Sequence, residues 1–164
     1  MVKKPPKNNF AFIDIQNITL GMGELGWRLD WRKFSICLKE KYKVPKAFVF
    51  IGYISQNRYF YDFLRSCGYI LIFKPVIVSE NKIKANCDGD MIMFSVSKCH
   101  NFNKAVIANS DGDFYSTVKL LYRRNKLAVV LSPNSYKCSK LLKKEARERI
   151  VYLTELKKLL EHPK

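Results

Sequence analysis

The chain has 164 residues, with 30 Lys and Arg against 14 Asp and Glu and a formal net charge of +16; it is long enough for one continuous core and basic enough to attract phosphodiester backbones. Apolar residues at 48% and aromatics at 13% exclude a disordered polyelectrolyte. Five scattered cysteines without a C-x-x-C pair exclude a disulfide framework or zinc knuckle, and no apolar run reaches the ~18 residues that span a bilayer, so a reducing, cytoplasmic setting away from membranes is expected.

Residues 1–9 read as a basic tail, and one domain is expected over 10–164. The apolar run Phe10–Asp14 reads as the first strand. Gly21-Met22-Gly23-Glu24-Leu25-Gly26 then spells G-x-G-x-x-G. The dinucleotide fingerprint needs its glycines in the turn leaving a strand and opening a helix, whereas this run stands six residues beyond Asp14, so it reads as a glycine loop. Trp31–Tyr42 has helical periodicity with Asp30 as its cap, followed by a strand over Ala47–Ile54, a helix over Asn57–Cys67 closed by Gly68, and a strand over Tyr69–Phe73. A helix over Met91–Cys99, a strand over Ala105–Ala108, a helix over Phe114–Arg124 and a strand over Leu127–Leu131 come next. Cys138–Arg149, with Ser135 as a candidate cap, reads as helix, Ile150–Leu153 as strand and Glu155–Glu161 as helix.

This alternation predicts an α/β fold with a mostly parallel sheet and helices on both faces, because right-handed crossovers pack well only that way. Ligands of such sheets bind outside the carboxyl ends of the strands. Asp14 closes the first strand, Asp111 and Asp113 follow the Ala105–Ala108 strand, and Asp88 and Asp90 open the helix between. Three distant segments therefore deliver carboxylates to one rim. Hard cations such as Mg²⁺ and Mn²⁺ prefer these oxygens, and without a cation the cluster would repel itself. Taken singly, each acid is also a common turn residue or helix cap.

Rival chemistries lack their residues. No G-x-x-x-x-G-K-[ST] is present, position 16 is Gln where a haloacid-dehalogenase phosphatase needs Asp, and two histidines, His100 and His162, do not supply a paired-imidazole ribonuclease. A D-x-D transferase holding a nucleotide diphosphate would need a phosphate-cradling glycine loop at the right place.

Three segments carry a resemblance. Phe12-Ile13-Asp14-Ile15-Gln16-Asn17, Lys84-Ala85-Asn86-Cys87-Asp88-Gly89-Asp90 and Ala108-Asn109-Ser110-Asp111-Gly112-Asp113-Phe114 resemble, in order and spacing, the D-G-Q-N, K-G-N-x-D-x-[DE] and S-G-D-x-D-F segments of LabA-like NYN domains, in the PIN-like nuclease superfamily. Ile15 and Ser110 replace Gly, and Asn109 replaces Ser or Thr while keeping a side-chain oxygen. The resemblance implies a Rossmann-like PIN fold and Mg²⁺- or Mn²⁺-dependent endonucleolytic hydrolysis of RNA. Asp14, Asp88, Asp111 and Asp113 would be the metal-binding, catalytic carboxylates, supported by Asn17, Asp90 and Asn109. Asp90 is two residues along a helix from Asp88, ~200° of rotation, and so faces elsewhere.

For substrate contacts, Arg58 and Lys84 lie near this rim, and Lys140, Lys143 and Lys144, with Arg147 and Arg149, form a basic C-terminal stretch. Tyr53, Tyr59 and Tyr115 are candidates to stack unpaired bases. The expected partner is single-stranded RNA, although the sequence alone does not separate RNA from DNA. A homodimer is compatible with the chain, and no antitoxin partner is identifiable in it. The second reading is a non-catalytic RNA-binding regulatory module on the same fold.

Overall fold

The computed structural model describes residues 7–79, 82–84 and 88–164, apart from the side chains of 77–84. One sheet contains β1 (Phe10–Asp14), β2 (Lys46–Gly52), β3 (Ile70–Lys74), β6 (Ala105–Ala108), β7 (Leu127–Ser132) and β8 (Ile150–Tyr152). Its order is β3-β2-β1-β6-β7-β8, and every neighbouring pair is parallel. A separate antiparallel pair, β4 (Ile77–Ser79) and β5 (Lys82–Lys84), has strands of three residues each.

Period-two alternation divides each strand between two cores. On one face, Ala11, Ile13, Val49, Val106 and Leu131 pack with Ile18 and Met22 of α1 (Ile15–Glu24), Phe34 and Leu38 of α2 (Trp31–Tyr42), Tyr61 and Leu64 of α3 (Arg58–Ser66), and the C-terminal Leu160. On the other, Phe10, Phe12, Phe48, Phe50, Ile107 and Val130 meet Met91 of α4 (Asp88–Ser97), Val118 and Leu121 of α5 (Tyr115–Arg123), and Leu142 and Ala146 of α6 (Lys140–Ala146). This second face is strongly aromatic. The Phe12 and Phe48 rings stack at 5.7 Å, and Phe94 meets Phe48 edge-on at 4.9 Å. Each buried Phe contributes about 1.5–3 kcal/mol of transfer free energy.

The same parity aims the site. Asp14 continues the Phe10–Phe12 series and so leaves β1 on the side of α4, while Asn109 continues Ala105–Ile107 beyond β6. Because β1 leads outward to β2 on one side and abuts β6 on the other, the order of the sheet reverses between β1 and β6. That crevice is where doubly wound sheets take ligands.

The glycine run is not a loop. Residues 15–24 form α1, which begins directly at Asp14, whose carboxylate accepts the Asn17 N–H as an N-cap. Position 21, inside this helix, needs glycine because α1 lies hard against the loop after β7: a Cβ there would sit 2.5 Å from two ring carbons of Pro133. Of the three glycines in this run, Gly26 alone, with φ of 75°, needs the left-handed region, and it stands just past the helix.

Other differences are local. The helix expected from Cys138 begins at Lys140 with Ser139, not Ser135, as its cap residue, and it ends at Ala146 before Arg147 adopts φ of 53°. Leu153 belongs to the 3-10 turn Leu153–Leu156 rather than to β8, and the last helix is α7 (Lys157–Leu160). Of the nine N-terminal residues, Asn9 is buried: its side chain donates to the Tyr42 carbonyl and accepts from the Lys104 N–H. The four described cysteines are free, and no described helix is long and apolar enough to cross a membrane.

Candidate metal centre

Carboxylates from separate segments converge beyond the ends of β1 and β6. Oxygen atoms of Asp88, Asp111 and Asp113 lie within 4.8 Å of one another. Asp88 opens α4, Asp111 caps the 3-10 turn Gly112–Phe114, and Asp113 lies inside that turn. Asp111 Oδ1 accepts the N–H of Asp113 at 3.0 Å, which fixes the relation between these two.

Asp14 borders the trio rather than belonging to it, close enough that its carboxylate and that of Asp88 act on each other's titration. Its Oδ1 accepts the Asn17 N–H at 3.1 Å, and its Oδ2 lies 3.5 Å from Asn109 Nδ2. One carboxylate therefore caps α1 and borders the acidic cluster at once.

The loop between β6 and α5 is held from two sides. Asn109 is fully buried, and its Oδ1 accepts the N–H groups of Ser110 at 2.7 Å and Asp111 at 3.0 Å. From α1, Asn17 Oδ1 accepts the Ser110 N–H and hydroxyl. The Ser110 carbonyl accepts the Ser139 N–H at 3.1 Å, and a Cβ on Gly112 would sit 2.6 Å from Ser139 Oγ. Residue 112 must be small because the start of α6 abuts the turn that carries Asp113.

Electrostatically the cluster is unsettled without a cation. Burial, then the charge of Asp111 and that of Asp14, push the Asp88 carboxyl up to about 7. Burial also raises Asp14, against the lowering effect of the Asn17 N–H. Hard oxygen donors under mutual repulsion are a donor set that a divalent cation such as Mg²⁺ or Mn²⁺ fits.

Asp90 stands apart. Its side chain is 58% exposed and pairs with Lys74 at 3.4 Å, as the rotation along α4 requires.

With this geometry in view, the comparisons decide the family. The NYN domain model matches residues 10–154. The chain belongs to the NYN domain family. This is a family with a nuclease-like PIN fold. A crystal structure of a protein of unknown function from Vibrio parahaemolyticus is similar, with a TM-score of 0.79 over 98% of this chain and 100% of that one. At 18% identity the likeness is one of fold. A comparison with curated proteins gives no match.

Around this NYN centre the expected substrate contacts separate. Arg58 begins α3 just beyond β2 and is exposed, and Lys140 is exposed at the start of α6, beside the Gly112 turn. Lys144 is exposed one turn further along, whereas the Lys143 ammonium donates to the Ser135 carbonyl. Lys84 lies in β5 and its side chain is outside the described set. Arg147 and Arg149 flank Tyr122 at 4.9 and 5.6 Å, and Arg149 donates to the Leu127 carbonyl. Both precede β8, so they occupy the edge of the sheet opposite the acids.

Tyr53, Tyr59 and Tyr115 are all exposed, and all follow strands at the acidic rim. Two further rim residues escaped the sequence reading. Tyr136, 94% exposed, lies in the loop after β7. Lys74 ends β3, and its position directly after an apolar run is the signal that located Asp14.

Proposed function

We propose that this NYN domain is a metal-dependent endoribonuclease that hydrolyses phosphodiester bonds of single-stranded RNA at the aspartate cluster. The supporting observation is the meeting of Asp88, Asp111 and Asp113 oxygens within 4.8 Å, with Asp14 beside them, at the reversal point of the sheet. In this reading Asp14, Asp88, Asp111 and Asp113 hold Mg²⁺ or Mn²⁺. A bound ion supplies charge neutralisation for the phosphate and a water of lowered pKa.

The residues of the chain have separable tasks. Asn17 and Asn109 hold the backbone of residues 110–111, so that Asp111 and Asp113 keep their spacing. Lys140 and Arg58 flank the rim with positive charge that draws phosphates toward an otherwise anionic pocket. Exposed tyrosines offer faces to unpaired bases. No histidine or nucleophilic side chain is assigned a chemical step, and the products carry 5′-phosphate and 3′-hydroxyl ends.

Cleavage of a labelled single-stranded RNA with Mn²⁺ tests this reading. Asp14→Asn and Asp111→Asn are expected to slow it by about 100-fold or more. Variants that cut as fast as the parent would overturn the assignment. A parent that binds RNA and Mn²⁺ without turnover would be a regulatory module.

A further inference from the structure

Because all six strands of the main sheet are parallel, every residue that precedes a strand falls on one edge, opposite the aspartates. Four of these strands begin at or directly after a cation, and a fifth has one three residues ahead. Lys46 is the first residue of β2, Lys104, Lys126 and Arg149 stand immediately before β6, β7 and β8, and Lys7 is three residues ahead of β1. Strand spacing of ~4.8 Å makes this row about 19 Å long.

Little on the molecule neutralises it. Among the described residues, no carboxylate comes within 4.0 Å of Lys7, Lys46 or Lys104, and Arg149 pairs with Glu148 at 3.5 Å. Lys104 reaches Asn125 Oδ1 at 3.3 Å, and Lys46 lies over the Phe10 ring at 5.6 Å. Burial lowers the Lys104 ammonium, and the nearby charges of Arg149 and Lys7 lower it further. Lys126 has a different task, since its ammonium donates to the carbonyls of Cys99 and Phe102 at 2.6 Å each.

We propose that this amino edge is a second nucleic-acid contact, in which Lys7, Lys46 and Lys104 hold the phosphate backbone on the far side of the sheet from the aspartates. A line of charge matches a repeating phosphate chain. A protein partner would need an apolar anchor near the centre of the contact, and Ile70, the exposed large hydrophobic residue that begins a strand of this sheet, lies on β3 at the end of the edge rather than at its centre. Helix ends nearby supply the competing explanation: cations also complement the carboxyl ends of α2 and α5. That role affects stability, whereas the proposed one affects binding.

The inference rests on nucleic acid as ligand, so its test is run with EDTA, where the metal centre takes no part. Full-length protein is titrated with uridine oligonucleotides of about 6 and about 30 nucleotides, which bracket typical single-strand site sizes. The longer one should bind at least tenfold more tightly. In Lys7→Gln/Lys46→Gln/Lys104→Gln, that advantage should vanish and the salt slope for the long strand should shrink by about 2, at ~0.7 per lost phosphate contact. Mn²⁺ affinity should stay at the parental value. If the triple variant unfolds more easily, Lys7→Gln/Lys46→Gln carries the test with a slope change of about 1.4. An unchanged slope would overturn the proposal. So would anionic phosphatidylserine vesicles that bind the edge more tightly than RNA does, because they would make a lipid surface its ligand.

Discussion

Asn17 and Ser110 join the two segments that flank the acidic cluster: Asn17 Oδ1 accepts the Ser110 N–H at 3.0 Å and the Ser110 hydroxyl at 2.9 Å. The helix leaving β1 thereby fixes the loop leaving β6, across the point where the sheet order reverses. Asn17→Ala removes one of the two acceptors of the Ser110 N–H, which keeps Asn109 Oδ1, and leaves the half-buried Ser110 hydroxyl to re-pair. A stability loss of about 1–2 kcal/mol is expected from denaturant unfolding. Because Asp111 follows Ser110 directly, Mn²⁺ affinity should also fall, by about 10–100-fold, as for other residues that orient ligands. Calorimetric titration that returns parental affinity would show that the loop keeps its shape without Asn17.

The two acids of Asp88-Gly89-Asp90 should behave unequally. Asp88 shares the cluster with Asp111 and Asp113, while Asp90 faces Lys74 with most of its side chain exposed. Asp88→Asn is expected to weaken Mn²⁺ binding at least about tenfold, whereas Asp90→Asn should change it by less than about threefold, the scale of an exposed ion pair. Equal losses in the two variants would place Asp90 in the cluster with Asp88.

How much of this was legible follows from which residues speak locally. Phe10–Asp14 and Ala105–Ala108 were readable to the residue because continuous apolar runs end at polar groups there. The convergence of Asp88, Asp111 and Asp113 followed from strand order. The helix α1 was hidden because Gly21 and Gly23 lower helix propensity, and only the Pro133 ring, 112 residues away in the chain, explains Gly21. The β4–β5 pair consists of three-residue strands, too short for a periodicity to register. Arg147 and Arg149 looked like part of one basic stretch with Lys140, but α6 is short, and the chain passes from one edge of the sheet to the other between them.

Gly21 and Gly23 give a paired test of that packing, since substitution by Ala should act with opposite sign. Gly23 has open space where a Cβ would stand, so Gly23→Ala should stabilise by about 0.5–1 kcal/mol through helix propensity. Gly21→Ala gains the same propensity but drives a methyl to 2.5 Å from Pro133 carbons, an overlap that costs about 1–3 kcal/mol. Urea unfolding of the two variants reads the difference. If Gly21→Ala were as stable as Gly23→Ala, α1 would not abut the loop after β7.

Stability without metal should fall as pH rises from about 4 to about 7. In an unfolded chain Asp88 titrates near 4, whereas in the fold burial and the charges of Asp111 and Asp14 push it up to about 7. Between those values the folded state holds more protons than the unfolded one, so its stability is fully present below about 4 and is lost as pH climbs through about 7. Asp14, also raised, contributes with the same sign. Glu148 is held below its ordinary range, first by its own backbone N–H and then by the Tyr122 hydroxyl, so it contributes with the opposite sign at the acidic end of this range. Unfolding midpoints in EDTA should therefore be lower at pH 8 than at pH 5. Asp88→Asn should flatten the profile, and saturating Mn²⁺ should restore stability at pH 8 by neutralising the repulsion. A midpoint that rises from pH 5 to pH 8 in EDTA would mean that the carboxylates are not crowded as the geometry has them.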